Sequence, residues 1–586
     1  MKSFRRALLR TLNSFGSIFG WSTRYEIIKK AAVIINDTTF VLFFMKKGLL
    51  FIISLLFVLD LFINKGQPAT FDGPTHLTNI AMFFKSMKSG EWHVTWTDGF
   101  ANYGMPIGLI AQQTTSYLGA IVNFFANNIV LSYNIVVFIG AFLSALFFYL
   151  FLRLYFRPAS AFVGAVFFHL APYRIINLYI RGALPEFFAS VFLPLLLIGI
   201  YFLFNKKQLK GFLLIVISIA FLVLTHPMML IIYSFIFVPY FFYNMYERKQ
   251  RFAPIILFSA AFLIGIGLTG YYSIPLLKEV KYFYYGLGGN HFAQNQFMSL
   301  ANFLDPSWFY FYKGDILTRG HFIQSGLIET IILLIGTGVV LYTFLTKKKG
   351  RINPLTLFVP AAFILIFLMS KWAMPIFERI NLLSNIQHQW RLFSAFIFLP
   401  PIILSYFIDI LNKNKNIIIY SLLFIICLLR FPQLYGKNYT LYSESKYYFT
   451  NENLHGNIMN TIWTGPTQDY PVKKEKPEII EGKGIITSKY AQNSLRKYGV
   501  NAETNIRMVD YTFFFPGWRT YVDGKETEIQ FQDPAYRGVI TYNVPKGEHE
   551  VIVKFTDTKV RFIGKLISIA SLAVLLLVIT YGILVR

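Results

Sequence analysis

An aspartate and a histidine four residues apart follow the first long apolar run, in the stretch TFDGPTHLTNIAMF at residues 70–83. Asp72 and His76 share one face if a helix begins there. The carboxylate can cap that helix, whose first turn holds Pro74, and it can also accept a proton as a general base. The two roles are compatible. His76 can orient the carboxylate or contact a phosphate, and an ordinary surface histidine is the alternative.

A guanidinium group and a second carboxylate occur together in the stretch IRGALPEFF at residues 180–188. The planar fork of Arg181 matches two phosphate oxygens, which makes it a candidate phosphate contact. Glu186 begins a predicted helix, where a carboxylate also stabilises the N-terminus. A structural ion pair between the two is the alternative. We predict that both belong to the site, with Glu186 beside Asp72 as a catalytic carboxylate.

Four further polar residues are predicted to lie near the same membrane face, at helix ends: His226, Glu279, Gln387 and Arg391. Arg391 is a second candidate phosphate clamp, and its alternative role is to extend towards the lipid headgroups. Glu279 is a further candidate acid. His226 has an alternative role as a helix-end histidine at headgroup level. We predict that all four contact the substrate.

The sequence contains no pattern that demands a cofactor. The predicted outer loops have no DxD pair or aspartate-rich cluster, so a divalent metal is compatible with the sequence but not indicated by it. A glycine-rich loop for ATP phosphates is also absent. Any reaction at this site would then draw its energy from the substrate itself rather than from ATP.

The composition is that of a membrane protein. The 586 residues are 55% hydrophobic and only 14% charged, with a mean hydropathy of +0.50, whereas about a quarter of the residues in soluble domains are charged. We attribute the net charge of +26 to basic residues at the inner ends of helices rather than to nucleic-acid binding. Cys427 is the single cysteine, which excludes an intramolecular disulfide. We expect no cleavable signal peptide.

About twelve apolar segments approach the length that crosses a bilayer. They lie near residues 46–63, 129–152, 159–172, 186–204, 211–225, 228–244, 254–275, 325–345, 353–370, 392–410, 416–430 and 562–584. With the N-terminus inside the cell, every short basic turn falls on the cytoplasmic side, as the positive-inside rule requires. The long polar segments, and with them the candidate residues, are then predicted to lie outside the plasma membrane.

The predicted chain has four parts. They are a cytoplasmic basic segment at 1–45, a transmembrane helical domain at 46–430 whose outer loop 64–128 carries Asp72, an extracytoplasmic β-rich domain at 431–561, and a final transmembrane helix at 562–586. The first segment is expected to lie on the inner leaflet, with a partly disordered tail as the alternative. Asp523-Gly524 between strand-like runs predicts a hairpin in a small antiparallel β-sandwich, which serves as a spacer or positions a substrate.

Several stretches in this order resemble one family, among them FDGPTHLTNIAMFFKSMKSGEWHVTWTDGFANYGMPIG, INLYIRGALPEFFASVFLPLL, NIQHQWRLF and FFFPGWRTYVDGKE. They are similar to the bacterial YfhO-like membrane proteins and to a sister group called 6-pyruvoyl-tetrahydropterin synthase related. The resemblance spans nearly the whole chain. It implies a GT-C glycosyltransferase that uses polyprenyl-phosphate sugars on the outer membrane face, with Asp72 at the position of the first-loop acid.

Two features of the sequence differ from what these family names lead one to expect. The relatives usually read Gln-Phe-Pro-Trp-Arg where this chain has Gln387-His388-Gln389-Trp390-Arg391. A soluble pterin synthase would also need a zinc-binding histidine cluster, and the sequence has no such spacing.

The resemblance leads us to expect an inverting glycosyltransferase. Its partners would be a polyprenyl-phosphate-linked sugar, an envelope glycan or lipid acceptor and the membrane lipids, without nucleic acid. A transporter or flippase is one alternative, which predicts ionisable groups near the bilayer midplane; His169 is the best example here. A non-catalytic scaffold that displays the β domain is another, although about twelve helices exceed what a scaffold needs.

Overall fold

The computed structural model describes residues 38–99, 103–205, 207–250, 252–283, 297–304, 323–346, 355–411, 415–441, 461–464 and 477–584. The predicted basic N-terminal segment therefore lies outside the described residues, apart from positions 38–45 at the beginning of the first helix.

Helices dominate the described chain as far as residue 430. In the first half they are α1 (Thr38–Ile63), α2 (Gly73–Lys88), α3 (Ile107–Ile110), α4 (Gln113–Ala126), α5 (Ile129–Leu152), α6 (Pro158–His169), α7 (Pro172–Ile176), α8 (Leu184–Ala189), α9 (Phe192–Leu203), α10 (Gln208–Thr225), α11 (Pro227–Glu247), α12 (Phe252–Leu268) and α13 (Gly270–Glu279). The second half contains α14 (Ala301–Leu304), α15 (Leu327–Leu345), α16 (Leu355–Met369), α17 (Met374–Arg379), α18 (Asn381–Ser384), α19 (Phe393–Phe396), α20 (Leu399–Ile410), α21 (Lys415–Arg430) and, after the β domain, α22 (Lys559–Leu584).

Seven helical stretches of the described chain are long and apolar enough to cross a membrane: Ile129–Leu152, Leu184–Leu203, Gln208–Thr225, Pro227–Glu247, Gln389–Ile410, Asn416–Gln433 and Lys559–Gly582. Two bent pairs raise the number to nine. Pro158–His169 and Pro172–Arg181 meet at 41°, and Phe252–Leu268 and Gly270–Tyr282 meet at 73°. The predicted segments 46–63, 325–345 and 353–370 contain helix over the described residues Thr38–Ile63, Leu327–Leu345 and Leu355–Met369, but none of these is among the nine. The structure thus supports a multi-pass helical protein without the count of twelve.

The first bend has a local cause that bears on the site. Pro172 restricts Ala171 to an extended conformation (φ −63°, ψ 140°), which interrupts the helix after His169. The chain resumes as α7 and then widens into a π-helical turn at Asn177–Arg181. Gly182 ends this turn in the left-handed region (φ +65°). The break and the turn place Arg181 at the end of the span rather than inside it.

The C-terminal region forms a β-sheet domain of two antiparallel sheets. Its described strands are β1 (Glu478–Glu481), β2 (Gly484–Gln492), β3 (Leu495–Ala502), β4 (Ile506–Phe513), β5 (Trp518–Val522), β6 (Lys525–Thr527), β7 (Val539–Val544) and β8 (Gly547–Phe555). Five strands pair in the order β2-β3-β8-β5-β6 and three in the order β1-β4-β7. Buried side chains of both sheets, such as Tyr498 and Tyr542, share one hydrophobic cluster.

The predicted Asp523-Gly524 hairpin is present. Both residues have positive φ values, 48° and 80°, and Val522 pairs with Lys525 across the turn. Two central residues with positive φ match the twist of the flanking strands, which explains why this dipeptide favours a tight hairpin.

The β domain packs on the loop that joins α2 to α4. Trp96 of this loop makes an edge-to-face contact with Trp518, with ring centres 5.1 Å apart. Tyr103 stacks on Phe513 at 4.7 Å. Asp98 pairs with the buried Arg496 of strand β3. The loop is therefore held against the β domain, and its last residues form one wall of the cavity described next.

Candidate functional site

Six of the eight predicted site residues line one cavity of about 210 Å³: Asp72, His76, Arg181, Glu186, His226 and Arg391. The remaining lining residues are Thr75, Asn79, Ile107, Ile110, Ala111, Gln112, Ala183 and Pro185. The cavity therefore lies where α2, the π-helical turn, the beginnings of three spans and the loop next to the β domain meet.

Helix α2 presents one polar face to this cavity. Asp72, Thr75, His76 and Asn79 are spaced at three, four and seven residues, which places them on one side of a helix. Asp72 occupies the N-cap position, but its side chain accepts no capping hydrogen bond from the described helix, and it is 48% exposed. The Asp72 carboxylate therefore does not cap helix α2, which was one of the two roles considered from the sequence. Thr75 and Asn79 were missed from the sequence, although the same periodicity identifies them.

A close backbone approach brings Asp72 to Arg181. The Asp72 amide donates a hydrogen bond to the Arg181 carbonyl at 2.7 Å. Gly182 allows this contact, because a β-carbon there would lie 2.5 Å from Oγ1 of Thr70 and 2.7 Å from the Gly73 nitrogen. As a result, Nη2 of Arg181 lies 3.8 Å from Oδ2 of Asp72.

Glu186 is the buried centre of the cluster. Its Oε2 atom lies 2.7 Å from Nη1 of Arg181 and 3.8 Å from Nε of Arg391. Its Oε1 atom accepts hydrogen bonds from the hydroxyls of Tyr173 and Ser394, both at 2.7 Å. The side chain is only 2% exposed. These contacts are those of a carboxylate that positions two guanidinium groups, and the structural ion pair considered from the sequence is present.

The two arginines are also held by the segment that precedes α19. The Arg181 guanidinium lies 4.4 Å from the ring centre of Trp390, and the His388 ring stacks on the same indole at 4.9 Å. Nη1 of Arg391 donates to Oε1 of Gln387 at 2.8 Å. Gln387 thus supports Arg391 and is not one of the cavity-lining residues.

The buried part of the cavity favours an anion. Arg181 and Arg391 carry two positive charges and Glu186 one negative charge, which leaves one positive charge before the half-exposed Asp72 is counted. Burial, and to a smaller extent the positive charge of Arg391, lower the pKa of His226 to about 4. The ring is therefore neutral at neutral pH.

Three buried polar atoms of the described cavity lining lack a hydrogen bond, and one of them is Nε of Arg391. Nδ1 of His226 and Oδ1 of Asn79 make no hydrogen bond within the described chain. Buried polar atoms are normally paired, so a bound ligand or water would satisfy them.

Glu279 lies elsewhere. It is buried, its Oε2 atom lies 2.9 Å from Nη2 of Arg561, and its Oε1 atom accepts from the Thr558 hydroxyl at 2.7 Å. The structure thus places Glu279 in a junction between α13 and the beginning of α22 rather than at the cavity. Sequence separation concealed this, since the two charged residues are 282 positions apart.

No group of three or more His, Cys, Asp or Glu side chains in the described ranges is arranged to hold a metal ion.

The residues missed from the sequence that do contact the predicted cluster are Tyr173, Asn177 and Ser394. Asn177 and Tyr173 precede Arg181 by four and eight residues, a spacing that helical periodicity could have revealed, whereas Ser394 carried no such signal.

The fold and site define a multi-pass helical membrane protein with a β-sheet domain. Residues 115–435 match the model of the family described as a 6-pyruvoyl-tetrahydropterin synthase related domain, membrane protein. Because the match covers more than half of the chain, the protein belongs to this family. The family predicted from the sequence motifs is therefore confirmed.

The chain is also similar to the crystal structure of the apo oligosaccharyltransferase of Archaeoglobus fulgidus, with a TM-score of 0.34 and 14% sequence identity. The match covers 67% of this chain and 56% of that chain, so the protein spans little more than half of that enzyme's length. No curated protein matches the chain.

Proposed function

We propose that the protein is an inverting GT-C glycosyltransferase. It transfers a sugar from a polyprenyl-phosphate carrier to an envelope glycan or lipid acceptor, at the extracytoplasmic face of the plasma membrane. One observation carries the proposal: a half-exposed carboxylate, Asp72, lies 3.8 Å from the buried guanidinium of Arg181 in a cavity with a second arginine. A proton acceptor and a phosphate-binding pair are the two parts that this reaction requires.

The roles follow from the exposure of each group. The acceptor hydroxyl oxygen bonds to the anomeric carbon while the bond from that carbon to the phosphate oxygen breaks. Asp72 takes the hydroxyl proton, and the polyprenyl phosphate leaves with the bonding electron pair. Arg181 and Arg391 stabilise the charge that develops on this phosphate. Glu186 is buried and fully hydrogen-bonded, so we assign it the role of holding both guanidinium groups.

The surroundings of the cavity suit a lipid-linked donor. Arg391 and Glu186 lie in the first turns of two candidate spans, so a bound phosphate would sit at the membrane surface. The nearby helix α4 buries polar residues and exposes Ile121, Phe124 and Phe125, the last at 88%. An exposed apolar face of this kind lies in lipid, beside the path of a polyprenyl chain.

The test is transfer by the full-length protein in proteoliposomes supplied with radiolabelled polyprenyl-phosphate sugars and envelope lipids. We expect Asp72→Asn to lower the rate by roughly 10²–10⁴-fold, the range for loss of a general base. The control is Asp523→Asn, which removes an exposed carboxylate of the β domain. Equal transfer by the Asp72→Asn variant and the wild type would remove Asp72 as the base, and absence of transfer with every donor would overturn the proposed function.

One observation favours transport as a second candidate. Arg174 is 1% exposed within the described helices. It bonds to the hydroxyls of Ser190 and Ser144 at 2.7 and 2.8 Å, and no described carboxylate pairs with it. A buried charge of this kind in a span can mark a substrate path. Movement of a labelled lipid across the bilayer without acceptor, lost in Arg174→Met and retained in Asp72→Asn, would support a flippase instead.

A further inference from the structure

A second cavity of about 290 Å³ lies at the opposite end of the same helices. The candidate span Gln389–Ile410 begins beside Arg391 at the first cavity and ends with Asp409 at the second. The span Pro227–Glu247 likewise follows His226 of the first cavity and ends with Glu247 at the second. Asp409 follows Arg391 by eighteen residues in this mostly helical span, and a regular helix of that length rises by about 27 Å, close to the thickness of the hydrocarbon layer. The two cavities therefore open towards opposite faces of the membrane.

The walls of this second cavity combine aromatic rings with carboxylates. Four tyrosines line it together with two acids: Tyr155, Tyr201, Tyr243, Tyr406, Glu247 and Asp409. Tyr155 lies in the turn after α5, and the other five come from α9, α11 and α20, so only the packed bundle brings them together. The sequence predicts basic turns at this end of the helices, whereas the wall of this cavity contains two carboxylates. We therefore expect a positively charged ligand.

Aromatic faces and carboxylates both attract cations. Arg248 at the rim already shows this chemistry, because its guanidinium carbon lies 5.8 Å from the ring centre of Tyr201. With Glu247 and Asp409 negative and Arg248 positive, the lining carries one net negative charge. An anionic ligand is thereby disfavoured.

Several polar contacts hold the lining groups in place. The hydroxyl of Tyr155 is hydrogen-bonded to that of Tyr240 at 2.5 Å, which fixes the Tyr155 ring. Oδ1 of Asp409 accepts from the Arg157 amide at 2.8 Å, and no described residue bonds its other oxygen. Asn244, which is 2% exposed, donates to the Tyr240 carbonyl at 2.8 Å. Hydrogen bonds thus position three of the lining side chains, Tyr155, Asp409 and Asn244.

We infer that this cavity binds an organic ammonium group. Tyrosine rings around an acidic group are the surroundings that alkylammonium cations prefer, whereas hard metal ions take shells of oxygen ligands. The volume is at the lower end of small-molecule sites, which fits a group of the size of choline or ethanolamine. The ammonium can belong to a free amine or to a phospholipid headgroup. This site is separate from the proposed transfer reaction and does not depend on it.

Binding is measured by calorimetric titration of the full-length protein, in nanodiscs of phosphatidylglycerol alone, with choline and with ethanolamine. The neutral control is 3,3-dimethylbutan-1-ol, which has the shape of choline without its charge. We expect saturable binding of the ammonium compounds, weaker by about tenfold for the neutral analogue. Equal binding of the neutral analogue, or no saturable binding by protein with a normal melting curve, would overturn the inference.

Matched variants distinguish the contributions of the aromatic ring and of the carboxylate charge from an effect on folding. Tyr201→Phe keeps an aromatic face and should bind as the wild type does. Tyr201→Leu and Asp409→Asn should each weaken binding by about tenfold, with melting temperatures recorded for all three. If Tyr201→Leu and Asp409→Asn melt normally and bind at wild-type affinity, the ligand is not held by these groups and the assignment fails.

The source of the ammonium is determined in a second series of nanodiscs. Phosphatidylethanolamine is added in steps, and the titration with free choline is repeated. A headgroup that occupies the cavity competes and weakens the apparent affinity for choline, which would assign the site to a lipid. An unchanged affinity would assign the site to a soluble amine. Both results agree with an ammonium site, and they distinguish its two sources.

Discussion

Oε2 of Glu186 lies 2.7 Å from Nη1 of Arg181, and the two side chains are 2% and 7% exposed. This buried ion pair lies at the beginning of a membrane span and holds the guanidinium beside the cavity. Asp72, which is 48% exposed, is by contrast the accessible carboxylate of the cluster. The difference in burial supports the separate roles that we propose for Asp72 and Glu186.

Glu186→Gln should destabilise the protein strongly. The amide cannot balance Arg181 and Arg391, and removing one partner of a buried pair costs about 3–5 kcal/mol. Thermal melting in detergent would measure the loss. The double variant Glu186→Gln with Arg181→Met should melt above the single variant, because it removes one of the unbalanced charges. A single variant that melts like the wild type would contradict this role.

Arg391→Lys tests whether the planar guanidinium group of Arg391 binds the phosphate of the donor. Lysine keeps the positive charge but loses the paired geometry that matches phosphate oxygens. We expect KM for the sugar donor to rise by roughly ten- to a hundredfold, equivalent to about 1.5–3 kcal/mol for a charge-assisted hydrogen bond. Donor titrations in the proteoliposome assay give this value. Gln387→Asn, which tolerates the positive φ of 66° but is too short to support Arg391, should raise KM less. An unchanged KM in Arg391→Lys would exclude a phosphate contact.

His226 should make the protein less stable as pH falls. Its pKa in the folded protein is about 4, below the ordinary value of 6.5, because burial and Arg391 disfavour the charged ring. The stabilising contribution is therefore present above pH 6.5 and is lost as the pH falls towards 4. Melting temperatures from pH 7 to pH 5 should fall more steeply for the wild type than for His226→Gln.

His549 provides a control, because its contribution to stability should change with pH in the opposite direction. Its hydrogen bond to Asp523 raises its pKa above 6.5, so its contribution is present below pH 6.5 and is lost as the pH rises through the raised value. The difference in melting temperature between the wild type and His549→Gln should thus grow as the pH falls. Parallel pH profiles for the wild type and both variants would contradict the two assignments.

Arg496→Met should weaken the attachment of the cavity loop to the β domain. Arg496 is fully buried beside Asp98 of the loop and lies 3.5 Å from the buried carboxylate of Asp510. Its loss leaves Asp510 unbalanced, at a cost of about 3–5 kcal/mol. Limited proteolysis should cut the stretch 89–112 faster, and transfer should decline. Arg519→Met, which breaks an exposed pair with Glu526, should change stability by about 1 kcal/mol or less. Equal proteolysis of the two variants would show that Arg496 does not hold the loop.

The sequence alone determined the features that depend on neighbours along the chain. Helical spacing placed Asp72 and His76 on one face, and the same spacing contained Thr75 and Asn79. Apolar runs located the candidate spans of the described chain, although not their number, and Asp523-Gly524 identified a hairpin. Each of these signals is local, because helix and turn geometry repeat over a few residues.

Only the tertiary structure decided which distant residues meet and what each can do. Glu186 accepts a hydrogen bond from Ser394, 208 positions later, and Glu279 pairs with Arg561 instead of joining the cavity. Two carboxylates that the sequence predicted to be catalytic proved to be unlike, one half-exposed and one buried. Burial and pairing arise from the packing of whole helices against one another, and no periodicity within a single segment encodes that packing.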